Sequence, residues 1–178
     1  MNKIIGIFIL SIFLFSCSSN LDFNQVNDLK LEPVIISNLA TFDVPANQFV
    51  INGAEQSVFF DTETFDVFRD TFFNTSLVKT DLYFEIDNTI NRAYTIDMYF
   101  LNGSNSNLYT VSFNIPAYTG VENLVTQTEI FENAKLDVLK KTRKIAFKVT
   151  MLPGPALTES SPGSLKLRSS ATVYLVVQ

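Results

Sequence analysis

Apolar and polar residues alternate with a period of two along much of the chain, which is typical of strands that bury one face. The clearest runs are residues 82–86, 94–100 and 108–115. Asn and Asp residues between the first two runs, and Asn and Gly residues between the last two, favour tight connections. The pattern therefore predicts a three-stranded antiparallel meander over about residues 81–115.

The same alternation or a β-branched composition predicts further strands elsewhere in the chain. These lie at residues 34–44, 57–61, 124–131, 145–151, 165–167 and 171–177, with a turn at Asn52-Gly53. Two short helices are predicted, one around Phe65, Phe68 and Phe72 with caps among Asp61, Thr62 and Thr64, and one over residues 133–141. Together these elements predict an all-β fold, an antiparallel β-sandwich of immunoglobulin-like type with one or two short helices.

The N-terminus has the features of an export signal. Lys3 precedes an apolar run over residues 4–15, which as a helix spans about 18 Å and is too short to cross a hydrocarbon layer of about 30 Å. The sequence Leu14-Phe15-Ser16-Cys17 follows, and Cys17 is the single cysteine of the chain. This segment resembles the signal of bacterial lipoproteins, although Phe15 replaces the usual small or aliphatic residue. An ordinary cleaved signal with an incidental cysteine is the alternative.

The lipoprotein resemblance implies a specific modification and a domain organisation. It implies a diacylglyceryl group on the sulfur of Cys17, cleavage directly before Cys17 and acylation of the new amino group. Residues 1–16 would then be the signal peptide, 17–30 a lipidated tether, and 31–178 the β-sandwich domain. Ser18 after the cysteine implies the outer membrane, and whether the domain faces the periplasm or the cell surface stays open. The whole chain is also similar to uncharacterised lipoproteins of Gram-negative envelopes.

Composition and charge exclude several classes of function. The chain has 178 residues and no His, so it has no Ser-His or Cys-His nucleophile pair, and one Cys cannot form a thiolate zinc site or an intrachain disulfide. The formal net charge is −5, and removal of residues 1–16 with Lys3 makes it −6. An acidic domain does not attract nucleic acid, so attachment to a membrane is expected only through the lipid at Cys17.

Three charged sets are candidates for further chemistry, each with a structural alternative. Asp61, Glu63, Asp66 and Asp70 could bind calcium, or could mark a solvated helix N-terminus. Asp81, Glu85, Asp87 and Asp97 could include a catalytic carboxylate pair, or could only solubilise a sheet. A basic run over residues 135–148 could dock an acidic partner or the phosphates of lipopolysaccharide, or could be a solvated helix end and strand face.

These observations predict a non-catalytic, lipid-anchored outer-membrane lipoprotein, acting as a binding or accessory subunit of a cell-envelope complex or as a surface adhesin. The alternative is a carbohydrate- or calcium-binding module that uses the acidic segment or exposed aromatic residues. The aromatic candidates are the adjacent pairs Phe59-Phe60 and Phe72-Phe73, which cannot both point inward on a strand, and the outward residues Tyr83, Tyr99 and Tyr109. A carboxylate-dependent hydrolase is a less favoured alternative. Cys17 is the predicted lipidation site, and no catalytic residue, metal ligand or cofactor is predicted.

Overall fold

A computed structural model describes residues 30–56, 58–61 and 69–178. Glu32–Val177 form one compact unit. The described residues form ten strands: β1 (Val34–Pro45), β2 (Val50–Ile51), β3 (Ala54–Glu55), β4 (Val58–Asp61), β5 (Leu77–Asn88), β6 (Tyr94–Leu101), β7 (Asn107–Ile115), β8 (Leu124–Glu132), β9 (Lys144–Met151) and β10 (Ser164–Leu175). They also form the helices α1 (Thr71–Ser76) and α2 (Leu136–Lys141) and 3₁₀ turns at Ala46–Phe49 and Asn133–Lys135. Within the described residues, no helix is long and apolar enough to span a membrane.

Eight of these strands form two four-stranded antiparallel sheets, with strand orders β1-β10-β5-β8 and β4-β9-β6-β7. The short strands β2 and β3 make a separate hairpin. Its turn is Asn52-Gly53, and both residues have positive φ, 53° and 76°, as the tightest hairpin turns require. The predicted turn at this dipeptide is confirmed.

The strand pairing is nested along the chain, which defines the topology. β1 pairs with β10, β4 with β9, β5 with β8, and β6 with β7, as though one long hairpin had been rolled up. The predicted all-β antiparallel sandwich with short helices is confirmed. Its connectivity is that of a jelly roll rather than the immunoglobulin-like order, because strands adjacent in sequence repeatedly pass from one sheet to the other.

The predicted meander is half correct. β6 and β7 form a hairpin, but β5 belongs to the opposite sheet and pairs with β10 and β8. Alternation shows which side of a strand faces the core. The pattern is the same, however, whether two strands pair within one sheet or face each other from opposite sheets. The buried Asn88 directs the chain across the core, because its amide nitrogen donates to the carbonyl oxygens of Arg92 and Pro116, at 2.8 and 2.7 Å.

Aromatic side chains from both sheets fill the core. Phe84 of β5 contacts Phe113 of β7 edge to face, with ring centroids 5.1 Å apart, and Phe100 lies 5.2 Å from Phe131. Burial explains much of the high phenylalanine content, since six phenylalanines of the described residues are almost completely inaccessible: Phe49, Phe84, Phe100, Phe113, Phe131 and Phe147.

The loops at one end of the sandwich converge on Arg92, whose side chain is 8% exposed. Its guanidinium forms a two-pronged ion pair with Glu55, with nitrogen to oxygen distances of 2.9 and 3.2 Å. Glu55 also accepts a hydrogen bond of 2.7 Å from the backbone amide of Leu157. Arg92 donates in addition to three carbonyl groups of one loop, those of Leu152, Gly154 and Pro155. These bonds hold the β2–β3 hairpin and the loop before β10 against the β5–β6 connection.

The short helices agree only in part with their predicted positions. α1 begins after Asp70, whose carboxylate accepts from the amides of Phe72 and Phe73, at 2.8 and 3.3 Å. Asp70 therefore caps this helix. The predicted helical residues 65 and 68 and the predicted caps lie outside the residues whose side chains are described. Over 133–141 the chain is helical as expected, although Asn133 has a φ of 52° and is not the side-chain cap.

Candidate functional site

The sheet β1-β10-β5-β8 presents an exposed outer face, made of the side chains that point away from the core. Antiparallel register aligns these side chains in rows across the four strands. From β1 across the sheet to β8, the rows are Val34, Tyr174, Lys79 and Glu132; Ile36, Thr172, Asp81 and Ile130; Asn38, Ser170, Tyr83 and Thr128; Thr41, Arg168, Glu85 and Thr126; and Asp43, Lys166, Asp87 and Leu124.

A bulge in β1 decides which residues of that strand join the outer face. The register shifts between Asn38 and Thr41, so both residues point outward although three positions separate them. The buried hydroxyl of Ser169 stabilises the bulge. It donates to the carbonyl of Ala40 at 2.7 Å and accepts from the amide of the same residue at 3.0 Å. Without the bulge, Thr41 and Asp43 would face the core.

Tyr83 occupies the middle row and is 40% exposed, an unusual degree for an aromatic ring in the centre of a sheet. Beside it lies a depression of about 350 Å³, lined also by Asn38, Ser170, Glu85 and Arg168. A second depression of about 590 Å³ adjoins it and is also lined by Glu85 and Arg168. The remaining outward residues along the second depression are Thr41, Asp43, Asp87 and Lys166. We call the two depressions together the outer groove.

Ion pairs fix several charged side chains of the outer groove. Arg168 Nη2 contacts Glu85 Oε1, with the arginine side chain 73% exposed and the glutamate 23% exposed. Lys166 Nζ lies 3.6 Å from Asp43 Oδ2, and both side chains are about half exposed. The groove therefore carries three carboxylates and two cations, so its charge is close to balanced.

A polar cluster lies on the other side of Tyr83 along the strands. Asp81 Oδ2 accepts from Lys79 Nζ at 2.9 Å and from the Tyr174 hydroxyl at 3.2 Å. The hydrogen bond to Asp81 raises the pKa of Lys79. The ammonium group of Lys79 also lies 4.9 Å from the centre of the Tyr174 ring. These contacts partly cover the ring of Tyr174, so Tyr83 is the most exposed aromatic ring of the outer face.

The four candidate carboxylates for hydrolysis lie on two opposite faces of the sandwich. Asp81, Glu85 and Asp87 lie on β5, whereas Asp97 lies on β6, on the outer surface of the opposite sheet. Asp97 accepts from the hydroxyl of Ser112 at 2.6 Å. Asp97 is therefore separated from the three carboxylates of β5 by the thickness of the sandwich.

The predicted lipidation site and most of the acidic segment cannot be placed. Cys17 lies outside the described residues, as do the side chains of Asp61, Glu63 and Asp66. Asp70 is described, and its carboxylate caps α1. Among the residues that the structure describes, no group of three or more His, Cys, Asp or Glu side chains could hold a metal ion.

The basic run contributes to the domain's own contacts. Lys135 pairs with Glu129 and lies over the rings of Tyr109 and Phe131, at 4.7 and 4.9 Å. Burial alone would raise the pKa of Glu129, but hydrogen bonds from Lys135 and Tyr109 hold it below its ordinary value. Arg143 donates to the backbone carbonyls of Lys140, in the last turn of α2, and of Thr142, directly after the helix. Lys135 therefore links β7 and β8, whereas Arg143 stabilises the C-terminal end of α2.

Sequence reasoning placed Tyr83 on an outward face but did not identify the outer groove. Alternation in β10 marks Lys166 and Arg168 as outward residues. Their position beside β5, however, depends on a pairing between strands about eighty residues apart in the chain. The bulge that brings Asn38 and Thr41 into line has no sequence signature of its own.

Comparisons with known proteins do not identify a family. No family model and no curated protein matches the chain. Among solved structures, the chain is similar to an infectious bursal disease virus VP2 subviral particle, with a TM-score of 0.39 and 12% identity over 80% of this chain and 32% of that one. It is also similar to the capsid of desmodium yellow mottle tymovirus, with a TM-score of 0.35 and 10% identity over 83% of this chain and 90% of that one. The chain spans about a third of the length of the VP2 chains that it matches.

Proposed function

We propose that this protein is a non-catalytic lipoprotein of the outer membrane, anchored through lipid on Cys17, whose jelly-roll domain acts by binding. The anchor is supported by the sequence, because the single cysteine follows a short apolar export signal. Binding is supported by one structural observation, the outer face of the sheet β1-β10-β5-β8, with an exposed tyrosine at its centre. Exposed aromatic rings surrounded by polar groups are typical of recognition surfaces.

Metabolic labelling with radioactive palmitate tests the anchor. We expect the wild-type protein to be labelled and to sediment with membranes, and Cys17→Ala to lose both properties. Ser18→Ala is the matched control, because it changes the adjacent residue and should keep the label. An unlabelled wild-type protein would reject the lipoprotein proposal.

Protease treatment of intact cells separates the two forms of this proposal. A surface adhesin would be degraded without breaking the outer membrane, whereas a periplasm-facing subunit of an envelope complex would be protected until the membrane is opened.

Carbohydrate recognition is the second candidate function, and the chemistry of the outer groove favours it specifically.

A further inference from the structure

We infer that the outer groove is a saccharide-binding site, which takes a short chain of neutral sugar units with one ring stacked on Tyr83. This inference rests on the binding role proposed above and specifies its ligand. It does not depend on the lipid anchor, because the groove is formed by the folded domain alone.

The first argument is the setting of Tyr83. The apolar carbon and hydrogen face of a pyranose ring packs well against an aromatic ring, and the sugar hydroxyls at its edge then need polar partners. In the row of Tyr83 these partners are present on three strands, as the amide of Asn38 and the hydroxyls of Ser170 and Thr128. A ring without such neighbours would suit an apolar protein surface better.

The second argument is the Glu85–Arg168 ion pair in the next row. A carboxylate accepts hydrogen bonds through two oxygens, and a guanidinium donates from a planar fork. The pair therefore offers an acceptor and a donor side by side, which matches two neighbouring sugar hydroxyls. Glu85 Oε1 faces Arg168. The Arg168 side chain is 73% exposed, so its guanidinium remains accessible to a ligand.

The third argument is charge and shape. Three carboxylates and two cations line the outer groove, so a polyanion such as nucleic acid or a phosphorylated glycan gains no net attraction. The groove runs along the strands from Tyr83 to Asp87, four residues apart on β5, or about 14 Å at the rise of an antiparallel strand. That length exceeds one sugar ring and fits a short chain.

Titration calorimetry on the protein as purified from its cells, whether or not Cys17 carries lipid, tests this inference. The protein is kept in a zwitterionic detergent, because detergents with sugar head groups would compete for the groove. The probes are neutral oligosaccharides of glucose, mannose, galactose and N-acetylglucosamine, with a sulfated heparin oligosaccharide for comparison. We expect at least one neutral probe to bind and the heparin oligosaccharide to bind more weakly.

Variants then locate the site. Tyr83→Ala should raise the Kd of that probe at least about tenfold, equivalent to about 1.4 kcal/mol. Tyr83→Phe keeps the ring and should bind nearly as the wild type does. Asn38→Ala, on a different strand, should also weaken binding. Tyr99→Ala changes an outward tyrosine on the opposite sheet and should have no effect. Unchanged thermal melting would show that the variants remain folded.

Three results would overturn the inference: no neutral probe binding at millimolar concentration, tighter binding of the heparin oligosaccharide, or a Tyr83→Ala variant that binds as the wild type does. Palmitate labelling of Cys17 is a separate measurement. A labelled protein that fails the calorimetric test remains a lipoprotein, but its outer groove is then not a saccharide site.

Discussion

Replacement of Arg92 by alanine should destabilise the domain strongly, because it removes the cation on which several loops converge. The guanidinium is almost fully buried and bonded to Glu55 and to three backbone carbonyl groups. Its loss leaves these carbonyls without the guanidinium donor and leaves Glu55 with only the backbone amide of Leu157. Removal of one partner from a buried ion pair typically costs about 3–5 kcal/mol. That is a large fraction of the roughly 5–15 kcal/mol that stabilises a typical domain.

Urea denaturation measures this loss. The chain contains no Trp, so unfolding is best followed by far-ultraviolet circular dichroism. With an m-value of about 2 kcal/mol per molar, the midpoint of Arg92→Ala should fall by about 1.5–2.5 M. Arg92→Lys keeps the charge but not the fork of donors, and should lie between the two proteins.

Arg168→Ala is the matched control, because it removes another arginine from a pair with a glutamate. Its side chain is 73% exposed, so the expected loss is below about 1 kcal/mol. If Arg92→Ala also lost less than about 1 kcal/mol, the reasoning that burial makes the first pair important would be refuted.

Three further predictions concern stability. Tyr94 is fully buried, and its hydroxyl has no hydrogen-bond partner among the described residues, so Tyr94→Phe should keep or raise the melting temperature; a clear loss would reveal a missed partner. The pKa of Glu129 is lowered in the fold, so its contribution to stability is present above the unfolded pKa near 4.3 and is lost as pH falls through the folded value. Glu129→Gln should therefore have a lower urea midpoint than the wild type at pH 7, and this difference should disappear towards pH 3. The exposed control Glu132→Gln should not show this pH-dependent difference. A difference for Glu129→Gln that does not change with pH would contradict the prediction. Gly163→Ala should cost about 2 kcal/mol or more, because φ is 95° and the new methyl group would overlap the carbonyl of Thr89. Gly120→Ala, with a φ of 94° and open space around it, should cost only about 1 kcal/mol in the same urea titration.

The sequence by itself determined the strands and the sides of them that face the core. Every predicted strand with described residues is present in the structure, because alternation records burial directly: Leu82, Phe84 and Ile86 are buried and the residues between them are not. The short segment at Leu165 and Leu167 and the predicted C-terminal strand are one strand, β10. The sequence also predicted the helix over 133–141, because Leu136 and Leu139 lie on one face, which is buried in the structure. The export signal that ends at Cys17 is likewise a prediction from sequence alone, and it stays a prediction.

Only the tertiary structure decided which strands pair and which residues share a surface. β5 and β6 have the same alternation whether they form a hairpin or face each other across the core, so the expected meander and the immunoglobulin-like order could not be distinguished from a jelly roll. The outer groove depends on the same choice, because Tyr83 and Glu85 meet Ser170 and Arg168 only through the pairing of β5 with β10. Burial is a property of each position and is recorded locally, whereas pairing is a property of two distant segments and depends on how the whole chain packs.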